Sequence, residues 1–228
     1  MVNPGTGVEA QKQAAAERAL DLVQPGMVVG LGTGSTARYF IEGLGRMVER
    51  GTDVRAVVTS TDSRRRANDC GIPLVDRLEH PLDLTVDGAD EIDPAVNCIK
   101  GRGGALLREK IVAHASRRFV LIADETKVVA RLGRGPVPVE ILPFLWERTS
   151  QSVAALGGEP VLRLGPDGPY RTDNGNLILD VAFATVDASL DSRLHAIPGV
   201  LEHGIFLRIA QAAIIGGPSG IRVLGKLG

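Results

Sequence analysis

Over the first 124 residues, short apolar runs alternate with stretches of helical periodicity, and that alternation restricts the chain to few architectures. The runs are Val28 to Leu31, Val54 to Thr59, Leu82 to Val86 and Phe119 to Ala123. Val28 to Leu31 is an apolar run read as a buried strand, Val54 to Thr59 is β-branched, and each of the four reads as a strand. Between and before them, Glu9 to Val23 carries apolar residues at helical spacing and stops at Gln24-Pro25-Gly26. Ser35 or Thr36 can cap a helix running to Glu49. Ser63 to Asp69 and Leu106 to Ser116 read as further helices. Strands alternating with helices imply a parallel sheet covered on both sides.

After Arg131 the texture changes. GRGPVPVEILPF is rich in Pro and Gly and reads as a crossing into a second unit. Glu140 to Leu142, Val161 to Leu164, Leu177 to Phe183 and a run ending at Phe206 read as strands, and Glu147 to Leu156 and Val186 to Ala196 as helices. The second and third strands are joined through GPDGPYRTDNGN, with a turn signal at Asn174-Gly175. The resulting β-α-β-β-α-β order fits a small ferredoxin-like unit. Ile209 to Ile215 and Ile221 to Leu224 are apolar again and are expected to return to the first sheet. The fold class is therefore α/β: a parallel-sheet, Rossmann-like catalytic domain over 1–131 and 207–228, and a smaller α+β domain over 132–206 suited to oligomerisation.

A formal charge of -1 supplies neither a basic stripe for nucleic acid nor a polybasic membrane anchor. No apolar run approaches the ~20 residues of a membrane helix. MVNPGTGVEAQKQ lacks the basic and apolar regions of a secretory signal. Cys70 and Cys98 stand alone, and His80, His114, His195 and His203 show no ligand spacing. A reducing, cytoplasmic setting is the expectation, with no metal.

Two segments carry chemistry. Gly30-Leu31-Gly32-Thr33-Gly34-Ser35-Thr36 ends a strand and opens a helix, where unpaired backbone N–H groups and hydroxyls suit phosphate oxygens. It is no Walker A motif, since no Lys follows, and it matches the dinucleotide fingerprint poorly. A plain capped turn is the bland alternative. Asp87-Gly88-Ala89-Asp90-Glu91 crowds three acids at a strand end, a costly arrangement unless cations or hydroxyls meet them. Lys100-Gly101-Arg102-Gly103-Gly104 follows, then a helix containing Glu109. A solvated acidic turn and a surface glutamate are the bland readings of these. Together the parts suit aldose–ketose isomerisation, which needs a base beside a carbonyl, an acid–base pair for ring opening and a cation near the enediolate.

These residues resemble the ribose-5-phosphate isomerase family of the A type. The resemblance lies in GLGTGSTA at 30–37, DGADEID at 87–93, KGRGGALLREKI at 100–111 and IADETKVV at 122–129, and continues through PVPVEILPF at 136–144 and TDNGNLILDV at 172–181. It implies Glu109 as the base moving a proton between C1 and C2, Asp87 and Asp90 in ring opening, and Lys100 stabilising developing charge. It implies a substrate site of Thr33, Gly34, Ser35, Thr36, Gly88, Ala89, Gly101, Arg102 and Gly103, with Lys127 and Lys12 as cationic partners. It further implies a sugar-phosphate substrate in the non-oxidative pentose phosphate pathway, no metal or organic cofactor, and a homodimer or homotetramer. One departure stands out: the family's loop reads three glycines after the lysine, and Arg102 holds the middle position. A positive φ there would strain an Arg by roughly 1–2 kcal/mol, so an outward side chain at the pocket rim is expected. The rivals are a sugar-phosphate deaminase or lactonase, whose base is often a histidine, and a sugar-phosphate sensor domain, which would need a DNA-binding helix-turn-helix.

Overall fold

A computed structural model describes residues 7–227 of the chain, so the first residues of the segment read as lacking a signal lie outside the description. In chain order the first half holds α1 (Val8–Leu20), β1 (Val28–Leu31), α2 (Ser35–Glu49), β2 (Arg55–Val58), α3 (Thr61–Asp69), β3 (Leu84–Gly88), β4 (Glu91–Ile92), β5 (Cys98–Ile99), α4 (Leu106–His114) and β6 (Phe119–Asp124). A 3-10 turn, Glu125–Lys127, follows. The second half holds β7 (Val137–Ile141), α5 (Trp146–Ala154), β8 (Gly158–Leu162), β9 (Leu164–Gly165), β10 (Gly168–Pro169), β11 (Leu177–Phe183), α6 (Ala188–His195), β12 (Val200–His203), β13 (Ile205–Phe206), β14 (Ala212–Gly217) and β15 (Gly220–Gly225).

The main sheet has six strands in the order β15-β14-β6-β3-β1-β2. All its pairings are parallel except the β14–β15 hairpin at one edge. Side chains alternate across it. Val120, Ile122 and Ile214 face α1 and α2, where Phe40, Ile41 and Leu44 are fully buried. Phe119, Leu121, Ala213 and Ile215 face the opposite side, against Ala113 of α4 and Phe206. Each fully buried large side chain contributes about 1.5–3 kcal/mol, which fixes the helices on the sheet. The chain leaves β1 for β2 on one side and returns to β3 on the other. That reversal is a topological switch point, and the crevice outside the carboxyl ends of β1 and β3 is where such sheets bind ligands.

The smaller sheet is antiparallel in the order β12-β7-β11-β8, with α5 and α6 packed on its apolar face, as the β-α-β-β-α-β reading expects. Three details differ from the sequence reading. The long connection between β8 and β11 holds an extra hairpin, β9–β10. The run expected to be one strand up to Phe206 breaks at Gly204, and β13 instead joins β4 and β5 in a three-stranded sheet. Strands of two residues have no period for a sequence pattern to reveal. The cap of α2 also differs. Its N-cap is Gly34 at φ 112, with no side-chain capping bond, so Ser35 and Thr36 sit inside the first turn.

Candidate active site

A cavity of about 260 Å³ opens at the switch point, lined by residues 33–36, 88–90, 100, 101, 103, 109 and 127. Twelve of the fifteen residues singled out from sequence line it. Asp87 stands just behind its wall, 1% exposed. Lys12 and Arg102 are not among the lining residues. The Lys12 ammonium pairs with Glu9 at 2.6 Å on α1.

Glycine is required in the β1–α2 turn for two different reasons. A Cβ on Gly32 would fall 2.0 Å from Asp87 Oδ1, so only glycine lets the turn touch that carboxylate. Gly34 has open space around it, but its φ of +112 is a conformation that side chains rarely adopt. The turn presents the first N–H groups of α2 to the cavity, together with the hydroxyls of Ser35 and Thr36. Thr33 lines the cavity and also holds the turn together. Its hydroxyl lies 2.7, 2.8 and 3.0 Å from those of Thr59, Ser60 and Ser63, so it braces the turn.

Lys100 organises the acids. Its Nζ lies 2.9 Å from Asp87 Oδ2 and 3.4 Å from Glu109 Oε1, and it donates to the Gly88 carbonyl oxygen. All three ionisable side chains are at least 95% removed from water. Asp87 Oδ1 also accepts the backbone N–H groups of Thr33 at 3.0 Å and Gly88 at 2.7 Å. Glu109 Oε2 is buried with no hydrogen-bond partner. Burial penalises every charge here. It lowers the pKa of Lys100, but Asp87 and Glu109 outweigh it and hold the ammonium above its usual range. It raises the Asp87 carboxyl, against the pull of Lys100 and the two amides. It pushes Glu109 up to about 8, opposed by Lys100 and reinforced by Asp87 and Asp90. One ammonium cannot neutralise two buried carboxylates. Asp87 has the shorter ion pair and both amides, so the proton that the cluster takes near neutrality rests on Glu109.

The loop from 100 to 104 holds this geometry without strain at Arg102. Positive φ falls on Gly101 (106°) and Gly104 (79°), and Arg102 is not among the described non-glycine residues with positive φ. The Arg102 N–H donates to Asp90 Oδ2 at 3.0 Å, while the side chain runs outward towards Gly135. Glu91, the third acid of the cluster, is fully buried away from the cavity and accepts the N–H groups of Gly133, Arg134 and Gly135.

Sequence reasoning gave the segment TDNGN no part in the site. Buried Glu140 Oε1 gathers Thr172, Asn174 and Asn176, and shapes this segment into a tight loop. The loop then docks on α4: Arg108 donates to Asn174 Oδ1 at 2.8 Å and to the Asp173 carbonyl at 3.0 Å. Asp173 also accepts the Thr61 N–H at 2.6 Å. The residue before Glu109 is thereby clamped to the loop at 172–176.

Residues 55–220 match the family model for ribose 5-phosphate isomerase A (phosphoriboisomerase A). The ribose-5-phosphate isomerase A of Nitrobacter hamburgensis is 52% identical over 230 residues, covering 96% of this chain and 99% of the relative. A solved D-ribose-5-phosphate isomerase in complex with phospho-erythronic acid superposes with a TM-score of 0.93 at 40% identity, covering 96% of this chain and all of the other. The ribose 5-phosphate isomerase of Plasmodium falciparum superposes with a TM-score of 0.92 at 36% identity, over 96% of this chain and 100% of its own.

Proposed function

Because the chain belongs to the ribose 5-phosphate isomerase A family, we propose that Glu109, Lys100, Asp87 and Asp90 perform its proton transfer. The protein is an aldose–ketose isomerase that interconverts D-ribose 5-phosphate and D-ribulose 5-phosphate. The sensor and deaminase or lactonase alternatives are not favoured by these relatives.

One observation carries the assignment of the base: the unpartnered oxygen of Glu109, in a carboxyl that burial raises to about 8, on a residue lining the cavity. With the sugar open, Glu109 takes the proton from C2, leaving an enediolate, and returns it to C1, while the O2 hydroxyl proton passes to O1 so that the carbonyl forms at C2. The buried ammonium of Lys100 lies where negative charge grows on the oxygens, and a preorganised cation in a dry site is worth more than one in water. Taking the proton brings the cluster of Lys100, Asp87 and Glu109 from a net negative charge to neutrality, which favours the step. Asp90 lines the cavity, which supports reading it as the group that exchanges a proton with the ring oxygen and holds sugar hydroxyls. The phosphate is proposed to sit on the N-terminus of α2 with Ser35 and Thr36, facing Lys127, which makes no ion pair among the described residues.

Two results are expected. The base form of Glu109 is the active one, so kcat/KM should rise with pH up to about 8 and then level, with a slope of one on the acid side. A profile flat from pH 5 to 9 would remove this carboxyl as the titrating base. Lys127→Ala should raise KM by about 10- to 100-fold with a smaller change in kcat, the loss expected for one charged hydrogen bond to a group that does not react. An unchanged KM would place the phosphate elsewhere.

We also propose a homodimer or homotetramer built through the 132–206 domain, where Phe144, Leu145, Val161 and Leu164 are 59–74% exposed, an apolar display costly for a lone chain. A cytoplasmic setting and a place in the pentose phosphate pathway fit the activity. Among the described residues no helix is long and apolar enough to cross a membrane.

A further inference from the structure

The loop that Glu140 shapes meets two walls of the sugar-phosphate cavity, and Asp173 makes both connections. Its main-chain carbonyl accepts Arg108 Nη2 at 3.0 Å, and its Oδ2 lies 3.7 Å from Arg108 Nη1. Arg108 directly precedes Glu109 on α4. The same Oδ2 accepts the Thr61 N–H at 2.6 Å. Thr61 is the first residue of α3. Its N–H is one of those a helix leaves unpaired at its start, where the dipole also favours an anion.

Beyond Thr61 the contacts continue to the other end of the site. Ser60, the N-cap of α3, accepts the Thr33 hydroxyl at 2.8 Å, and the hydroxyls of Thr59 and Ser63 lie 2.7 and 3.0 Å from it. Thr33 belongs to the turn that opens α2. Asp173 itself is not among the residues lining the cavity. An ion pair of 3.7 Å between side chains 41% and 32% exposed adds little stability. Its value lies in geometry, because misplacing a reacting group by about 1 Å can cost about 10²-fold in rate.

We infer that Asp173 is a positioning residue, which fixes the distance between the phosphate site at the start of α2 and the carboxyl of Glu109. The inference rests on the reading of Glu109 as the base and of that helix start as the phosphate site. A sugar held by its phosphate brings C1 and C2 to one place, so the base must stand at a set distance from that grip. Arg108 holds α4 to the loop, and Thr61 holds the phosphate side to it.

The test breaks one arm at a time in the full-length protein. Thr61→Pro deletes the N–H that Asp173 accepts. Proline suits the first position of a helix, and Ser60 already has the extended backbone that a following proline requires, at φ -154 and ψ 167. Asp173→Ala removes the carboxylate, and Asp173→Asn restores an oxygen acceptor for Thr61 without the charge. Thr61→Pro and Asp173→Ala should each lower kcat on D-ribose 5-phosphate by about 10- to 100-fold, with KM changed by no more than about threefold. Tm should stay within about 4 °C of the wild type. Asp173→Asn should recover most of the lost kcat. The double variant should be no slower than the worse single, since both break one link. Burial, Lys100, Asp87 and Asp90 set the ionisation of Glu109, so the acid-side midpoint near pH 8 should stay in place while the plateau falls. Wild-type kcat in folded Thr61→Pro, a loss confined to KM, or losses that multiply in the double variant would overturn the inference. Glu109→Gln, assayed alongside, separates the two levels. If it is inactive while Thr61→Pro is fully active, the positioning role fails and the base stands; if it turns over, the base itself is wrong.

Discussion

Glu109→Gln should lower kcat by about 10²–10⁴-fold while leaving substrate affinity within a few-fold, because the amide keeps the shape of the carboxyl but cannot accept a carbon-bound proton. The side chain is buried and one of its oxygens has no partner, so the isostere opens no cavity. The same variant carries a signature in stability. The Glu109 carboxyl is raised to about 8 in the folded protein against an ordinary value of 4.5. A raised carboxyl gives stability that is fully present below its unfolded pKa and is lost as pH rises through the folded value. The wild type should therefore lose stability between about pH 4.5 and 8, and the variant should lose less over that window. Denaturant titrations at pH 5 and pH 8.5, read beside single-turnover kinetics, measure both effects. Near-wild-type turnover in Glu109→Gln removes the residue from the mechanism.

Lys100→Met should act first on the fold and only then on catalysis. The ammonium is 3% exposed and is the shared counterion of Asp87 and Glu109. Removing one partner of a buried ion pair leaves uncompensated charge and costs about 3–5 kcal/mol, much of a typical domain's stability. The penalty depends on pH with a definite sign. Without the ammonium both carboxyls rise further, so stability is retained below their ordinary range and is lost as pH climbs through the raised values. The variant should fold at pH 5, with a Tm close to that of the wild type, and unfold progressively towards pH 8. A uniform Tm loss at all pH values would show that Lys100 acts through packing of its stem and not through charge. Activity should be lost even at the pH where the variant is folded, since both the enediolate counterion and the correct ionisation of Glu109 are gone.

Much of this was legible in the residues because local rules carry it. The parallel sheet follows from uniformly apolar runs such as Val28 to Leu31 alternating with helical spacing, and the antiparallel unit from the order of elements after Arg131. The parts of the site were legible for a related reason: glycines at a strand end, three acids at another and a lysine before a glycine loop are short patterns, and the sheet brings both strand ends to one edge. Roles within those patterns were less legible. Asp87, Asp90 and Glu91 look alike in sequence, yet one pairs with Lys100, one lines the cavity and one binds the amides at 133–135. Thr33 reads as a phosphate donor beside Ser35 and Thr36, and it also braces Thr59, Ser60 and Ser63.

By itself, then, the sequence determined the longer strands and helices, how they are ordered and which short motifs reach the switch point. Those follow from propensity and periodicity acting over some ten to fifteen residues. Only the tertiary structure decided which carboxylate pairs most closely with Lys100, that residues 172–176 clamp the helix carrying Glu109, and that His195 and His203 meet in direct contact. Each of these depends on burial and on partners far away in the chain, such as Asn174 for Arg108 and Glu202 for Lys110. Burial sets the energy of a charge, and no local pattern encodes it.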